Sequence, residues 1–288
     1  MTVDIDSGTQ LLGLLGHPLE HSFSPKIHNY ACEKLGLNYA YLCFDILPED
    51  LKEALAGLRA LGVRGFNVTI PYKRDVMKAA DRLHSPADEI GAVNTVVNEN
   101  GIFHAYNTDA GGFLRMLKKE AGFSPAGSSA LIAGAGGAAR AVGISLLEAG
   151  VDSLRVVNRT PGKGKELVAE WREFYPGTDL DAGELRKEYY SPLLREVELV
   201  VDTTPVGMSP NTDVEPVLSP SVLHSNLLVV DLVYNPAETV LMKAARRAGA
   251  TTLNGEGMLL YQALEAFQLW TGVDPFQLDW PENFFHRN

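Results

Sequence analysis

Between Ser129 and Thr160 the chain runs SALIAGAGGAARAVGISLLEAGVDSLRVVNRT, and this stretch restricts the fold more than any other. The apolar run Ala130-Leu131-Ile132-Ala133 stops at Gly134-Ala135-Gly136-Gly137-Ala138-Ala139. A helix-compatible segment follows, with Val142, Leu146 and Leu147 on one face and Gly150 as its stop. Leu154-Arg155-Val156-Val157 then reads as a second buried strand. Strand, glycine turn, helix, strand is the opening half of a dinucleotide-binding fold, and the turn fits the G-x-G-x-x-A pattern. Gly134 permits the tight turn, Gly136 lets backbone N–H groups approach a pyrophosphate, and Ala139 lets helix and strand pack closely. The anion would sit on the helix N-terminus, where unpaired N–H groups and the dipole favour it. A glycine-rich turn by itself is often only a tight turn; strands on both sides favour nucleotide binding.

The end of the second strand selects among nucleotides. An NAD-binding fold places Asp or Glu about 20 residues on, to hold the ribose 2′-hydroxyl. Here Asn158-Arg159-Thr160 takes that place, with Lys163 and Lys165 beyond and no carboxylate before Glu166. A guanidinium with an ammonium nearby suits a 2′-phosphate and serves a bare hydroxyl poorly. A solvated basic loop before a helix is common, but its position after this strand points to NADP(H).

At 288 residues the chain has room for roughly two domains. A formal charge of −11 argues against nucleic acid or an anionic membrane as partner. An anionic substrate must therefore be held by local groups. No apolar run approaches the ~18 residues needed to span a bilayer, and the acidic start MTVDIDSGTQ does not read as a secretory or transit signal. Cys32 and Cys43 lie in apolar contexts without metal-ligand spacing, so both are expected in the core of a protein of the reducing cytoplasm. The histidines are scattered, and no metal is expected.

In chain order, Leu11–Leu15 reads as a strand closed by Gly16-His17-Pro18. Ser24 is the expected N-cap of a helix with Pro25 first, ending near Leu35-Gly36. Strands are expected over Tyr39–Ile46, Val63–Ile70 and Ala92–Asn98, with helices from Pro48 and over Asp75–Leu83. Asn100-Gly101 signals a hairpin into Ile102–Tyr106. A helix over Ala110–Ala121 and the linker Phe123–Ser128 lead to the nucleotide strand. Beyond Thr160, helices are expected over Gly164–Phe174, Glu238–Ala248 and Glu256–Trp270, and strands over Glu196–Thr203 and Leu227–Tyr234. The first ~110 residues thus make an α/β unit lacking the glycine turn, and the last helix is placed to return to it.

Polar residues recur where a purely structural account struggles. In Phe66-Asn67-Val68-Thr69-Ile70-Pro71-Tyr72-Lys73, Asn67 and Thr69 would share a strand face, at a strand end of the kind that binds ligands. Asn94, inside an apolar run, is a residue type depleted in strands. Singly, a lysine is usually solvated, an Asp-Ala-Gly is usually a cap, and a strand-end Asn is usually a turn residue.

Together the pieces resemble the shikimate dehydrogenase family. The resemblance rests on His21-Ser22-Phe23-Ser24-Pro25-Lys26-Ile27-His28-Asn29, Asn67-Val68-Thr69-Ile70-Pro71-Tyr72-Lys73, Gly91-Ala92-Val93-Asn94-Thr95 and Asn107-Thr108-Asp109. The Gly134–Ala138 turn, Asn158-Arg159-Thr160, Asp231-Leu232-Val233-Tyr234, and Gly257-Met258-Leu259 with Gln262 complete it in family order. It implies an α/β fold: an N-terminal α/β substrate domain, a Rossmann-like parallel-sheet NADP domain, and a C-terminal helix returning to the first. The boundaries expected are 1–109, 110–254 and 255–288.

The resemblance further implies reversible NADPH-dependent reduction of 3-dehydroshikimate to shikimate, in aromatic amino acid biosynthesis. Lys73 and Asp109 carry over as catalytic residues. Ser22, Ser24, Thr69, Asn94, Tyr234 and Gln262 carry over as substrate contacts. Gly134, Ala135, Gly136, Gly137, Ala138, Asn158, Arg159, Thr160, Lys163, Leu232 and Gly255 would hold NADP. The chemistry agrees: serines offer donors to a carboxylate, amides partner ring hydroxyls, and a lysine stabilises the oxygen that gains charge as hydride arrives. The partner implied is a small molecule, with a homodimer left open. Two rivals stand beside this reading. A paralogue that also oxidises quinate and uses NAD is disfavoured on the cofactor side by Arg159; a non-catalytic NADP sensor would have no need of both Lys73 and Asp109.

Overall fold

Short apolar runs alternating with amphipathic stretches build two separate sheets in the computed structural model. It describes residues 5–20, 22–281 and 284–285, so His21 of the serine motif and the first four acidic-end residues lie outside the described residues. The chain divides into two compact units, Met1–Thr108 with Leu260–Asn288, and Asp109–Leu259.

The first unit runs β1 (Gln10–Gly16), α1 (Ser24–Leu35), β2 (Tyr39–Asp45), α2 (Leu51–Ala60), β3 (Gly65–Val68), α3 (Lys73–Ala79), β4 (Arg82–Leu83), α4 (Ala87–Ile90), β5 (Thr95–Glu99) and β6 (Ile102–Tyr106). Its sheet has the order β2-β1-β3-β5-β6-β4. β1 is parallel to β2 and β3, whereas β5 is antiparallel to β3 and β6. The β5–β6 hairpin turns through Asn100 and Gly101 at φ 53° and 85°, the two left-handed residues a type I′ turn requires.

Several expected boundaries move, each for a local reason. Phe23, with φ −86° and ψ −11°, is the N-cap of α1 and makes no side-chain cap. Ser24 is therefore already helical, Pro25 is second, and the Ser24 hydroxyl is not spent on capping. The helix expected over 75–83 spans Lys73–Ala79 instead. Asp81 then pulls the chain to the sheet edge, its carboxylate accepting from the Phe103 N–H at 2.7 Å, and Arg82–Leu83 becomes β4. β3 stops at Val68 and β5 starts at Thr95, so Thr69 and Asn94 sit at strand mouths, outside the strands. Cys32 is buried, but Cys43 is exposed, because β2 is an edge strand whose second half is covered by nothing in its own sheet.

The second unit continues with α5 (Asp109–Glu120), β7 (Ser129–Ala133), α6 (Gly137–Glu148), β8 (Ser153–Asn158), α7 (Pro161–Phe174), β9 (Asp179–Glu184), α8 (Lys187–Leu193), β10 (Leu199–Asp202), β11 (Leu228–Asp231), α9 (Val240–Arg247) and β12 (Thr251–Leu253). All its strands are parallel, in the order β12-β11-β10-β7-β8-β9. Counted from β7, that is the doubly wound order 3-2-1-4-5-6, with the reversal between β7 and β10. Sequence reading passes over β9, α8 and β12. β9 (DLDAGE) exposes its acids at the sheet edge and gives no apolar run.

α10 (Glu256–Thr271) starts in the second unit and runs on into the first. There its Ala266 and Trp270 join Leu12, Leu14 and Tyr41 in one apolar cluster. The Trp270 indole donates to the Val96 carbonyl at 2.9 Å, and a Cβ on Gly65 would come within 2.2 Å of that ring. Glycine in β3 is therefore required by the approach of Trp270. No helix among the described residues is long and apolar enough to cross a membrane.

Candidate active site

In the first unit Thr69, Asn94 and Gln262, three of the expected substrate residues, meet around the mouths of β3 and β5. Val68 N–H donates to the Asn94 carbonyl at 2.8 Å, and Val93 N–H donates to the Lys73 carbonyl at 3.1 Å. These bonds tie the β3–α3 turn, carrying Thr69 and Lys73, to the segment before β5. Asn94 is buried and heavily bonded. Its Oδ1 accepts from Thr108 N–H at 2.8 Å and Thr95 Oγ1 at 3.0 Å. Its Nδ2 donates to Thr108 Oγ1 at 3.0 Å and to Gln262 Oε1 at 3.3 Å. That last bond joins residues 168 positions apart.

Asn67 continues the network inward. Its Oδ1 accepts from the Tyr41 hydroxyl at 2.8 Å, and its Nδ2 donates to the Asn94 carbonyl at 3.2 Å and Thr95 Oγ1 at 3.1 Å. Tyr41 is held by Asn29, which pairs with both its backbone groups at 2.9 Å, and by the His28 ring stacked at 4.3 Å. Burial keeps His28 neutral, with its pKa lowered to about 3. Ser24 bonds the same phenol, and its N–H donates to Ser22 Oγ at 3.2 Å. Tyr41 carries no sequence signal of its own, since a tyrosine in a strand reads as an ordinary β-former, and Thr95 is marked only as the end of the Gly91–Thr95 stretch. Asp109 opens α5 directly after Thr108, and it belongs with Tyr234 to the second unit.

In the second unit the glycine turn joins β7 to α6 at the strand-order reversal. Gly134 has φ 109°, and a Cβ there would lie 2.4 Å from Thr203 Oγ1. Gly136 and Gly137 differ. A Cβ on either would meet no protein atom within 4 Å, so the protein's own packing does not demand glycine there. Both are exposed at the start of α6, with Ala135 and Ala138 half-buried beside them. This fits a pyrophosphate seated against the backbone.

At the end of β8, Asn158 Nδ2 donates to the Thr160 carbonyl at 2.9 Å and shapes the turn. Arg159 and Lys163 are exposed, and neither side chain has a hydrogen-bond or ion-pair partner among the described residues. Leu232 and Gly255 touch: a Cβ on Gly255 would fall 2.0 Å from the Leu232 carbonyl oxygen. A residue set without an acid at the β8 end and with free cations there fits NADP.

Two carboxyls have no role in the sequence reading, although Asp231 opens one of its matching stretches. Asp202 and Asp231 end β10 and β11 opposite one another in register, and both are buried. Asp231 Oδ2 accepts from Thr239 Oγ1 at 2.6 Å, whereas Asp202 Oδ2 has no hydrogen-bond partner among the described residues. Burial, reinforced by Asp231, pushes the Asp202 pKa up to about 8; burial raises Asp231 to about 6. The repeated Leu-Val-Val-Asp of residues 199–202 and 228–231 was the available signal.

A doubly wound sheet with this turn, joined in one chain to an α/β unit presenting hydroxyls, amides and a lysine, defines a two-unit dinucleotide-dependent oxidoreductase. Comparison with known proteins makes the class specific. The family model described as the shikimate dehydrogenase substrate binding domain matches residues 14–96, and that of the shikimate 5′-dehydrogenase C-terminal domain matches 255–275. The shikimate dehydrogenase (NADP(+)) of Halothermothrix orenii is 49% identical over 94% of this chain and 93% of its own. Shikimate 5-dehydrogenase from Listeria monocytogenes, solved with shikimate and NAD, superposes with a TM-score of 0.89 at 37% identity, covering 95% and 96% of the two chains. The Thermus thermophilus enzyme, solved with NADP(H) and shikimate, gives a TM-score of 0.82 at 38% identity over 93% and 96%. The chain belongs to the shikimate dehydrogenase family.

Proposed function

We propose that this protein catalyses the reversible NADP(H)-dependent interconversion of 3-dehydroshikimate and shikimate, with Lys73 as the group at the reacting oxygen. The observation that carries the site assignment is the buried Asn94–Gln262 hydrogen bond beside the Lys73 and Thr69 turn. It brings the two amides together from distant parts of the sequence, beside a turn whose Thr69 and Lys73 would supply the hydroxyl and ammonium that a small polyhydroxy carboxylate needs.

Ser22 and Ser24 offer hydroxyl donors to the substrate carboxylate, and Asn94 and Gln262 partner its ring hydroxyls. Gly134–Ala138, Asn158, Arg159, Thr160, Lys163, Leu232 and Gly255 would hold NADP, which supplies or accepts the hydride when bound. As the ketone oxygen gains negative charge, the Lys73 ammonium stabilises it and delivers a proton, a contact that strengthens toward the transition state. Asp109 orients that ammonium, and Tyr234 completes the substrate contacts. The unpaired Cys32 and Cys43 fit the reducing conditions of the cytoplasm.

The test is an assay of the purified protein with shikimate and NADP⁺, following NADPH by absorbance, with quinate and NAD⁺ as the alternative substrate and cofactor. Turnover should be highest with shikimate and NADP⁺. Absence of shikimate turnover would remove the assignment.

A further inference from the structure

The serine segment is braced from outside by a part of the chain with no place in the site described above. Phe23 lies between Ser22 and Ser24 and is the N-cap of α1. Its ring meets Phe285 edge-on at 5.9 Å. Phe285 packs edge-on against Phe284 at 5.4 Å. Phe284 is itself only 4% exposed. It contacts Tyr30 of α1 at 5.3 Å and Trp280 at 4.9 Å, and Trp280 in turn meets Tyr30 at 4.9 Å.

Polar bonds fix the same contact. The Tyr30 hydroxyl donates to the Asp279 carbonyl at 2.8 Å. Lys26 donates to the Phe284 carbonyl and stands 4.5 Å over its ring. Phe23, Lys26 and Tyr30 fall at i, i+3 and i+7, one stripe of a helix. Asp279, Trp280, Phe284 and Phe285 lie after the matched stretch 255–275, and the residues they meet lie on α1 or at its N-cap.

We propose that this aromatic clasp, made by Trp280, Phe284 and Phe285, is a positioning device for the substrate carboxylate, holding Phe23 and with it the Ser22 and Ser24 hydroxyls in binding geometry. The inference rests on the assignment of the two serines to the carboxylate. A Phe23 ring pinned between α1 and the clasp leaves the backbone of residues 22–24 little freedom. The ordering entropy of that turn is thereby met on folding and not on binding. Loss of the clasp should therefore act on binding of substrate and leave the chemical step alone, because the serines are assigned to the carboxylate and Lys73 to the oxygen that changes charge.

The experiment compares Phe285→Ala, Phe284→Ala and Phe285→Tyr with the unaltered chain, measuring steady-state kinetics and amide hydrogen exchange. KM for shikimate should rise about tenfold in both alanine variants, with kcat and KM for NADP⁺ within about twofold. Phe285→Tyr keeps the edge contact and should restore KM. The Ser24 and Ile27 N–H groups should exchange faster in the alanine variants with no substrate present, a readout independent of the substrate's identity. If the unaltered chain does not turn over shikimate, the functional assignment fails, and the exchange data still decide the clasp. If it does, while the alanine variants keep their KM or their exchange protection, the clasp plays no positioning part. A parallel fall of kcat and both KM-based efficiencies together with Tm would equally overturn it in favour of general destabilisation. Should Phe284→Ala not fold, Phe285→Ala, whose ring is half-buried, carries the test.

Discussion

Asn94 and Arg159, the groups proposed to meet substrate and cofactor, show two ways of preparing a binding group. Asn94, at the mouth of β5, has both amide atoms committed to named partners before any substrate arrives. Arg159, at the mouth of β8, is exposed and bonded to nothing among the described residues. The first unit holds its proposed substrate groups in a network of amides and hydroxyls; the second presents long cations and bare glycine backbone. A small substrate with several hydroxyls is discriminated by where donors and acceptors stand, so their orientation must be set in advance. A 2′-phosphate carries charge enough to be met by side chains that settle around it.

The contrast is tested hardest at Lys73. Lys73→Ala should lower kcat by about 10²–10⁴ with little change in KM for shikimate. Asp109→Asn should also lower kcat, and the double variant should be little worse than Lys73→Ala, since two groups acting as a unit are not additive. Steady-state kinetics with NADP⁺ saturating measures this. Near-normal kcat with a raised KM would move Lys73 into the preset binding network.

Next in size is Arg159→Ala. Loss of a charge-assisted bond of roughly 1.5–3 kcal/mol should weaken NADP⁺ by about 10- to 150-fold and leave NAD⁺ nearly untouched. Equal losses for both would show that the β8 end does not read the phosphate. Gly136→Ala should do the opposite. With no protein atom near the new methyl, Tm should hold, while NADP⁺ and NAD⁺ should weaken alike, by about tenfold for roughly 1.4 kcal/mol. Binding titrations of both cofactors separate the two variants.

How far these features were readable follows from the range of the interactions that make them. The glycine turn and the Asn100-Gly101 hairpin are local, and their residues state the backbone they need. Ser24 reads as a cap because its neighbours in sequence favour one; Phe23 displaces it because an aromatic ring packs on that turn from residue 285. The Asn67–Tyr41 and Asn94–Gln262 bonds span 26 and 168 positions, and nothing in a strand-like segment announces a partner so distant. Cys43 looked buried from its neighbours, but edge position in a sheet is decided by strand order, which no single strand carries.

The smallest expected effect sharpens the comparison by pH. The first unit's network holds amides and hydroxyls, whereas the second buries the Asp202–Asp231 pair. With its folded pKa near 8 against 3.8 for an ordinary aspartate, Asp202 binds its proton more tightly folded than unfolded. Its contribution is complete below pH ~4 and is lost as pH rises through ~8. Asp202→Asn should flatten that decline, so its Tm advantage should be absent at acid pH and reach a few degrees by pH ~8.5, at about 2–4 °C per kcal/mol. Thermal unfolding across pH checks it, and an unchanged slope would place the titration elsewhere.

The return of α10 to the first unit bears on the order in which the protein can be made. Trp270 closes the core beside Gly65 and Val96, and Gln262 completes the amide pair, yet both come after the whole of the second unit in the chain. Domains of a growing chain ordinarily fold N-terminal first. Here residues 109–259 can finish while the earlier segment still lacks a tryptophan, a glutamine and the clasp on α1. The unit that begins the chain is the last to be completed, and a chain ended between Leu259 and Gln262 would carry a complete second unit joined to an unfinished first one.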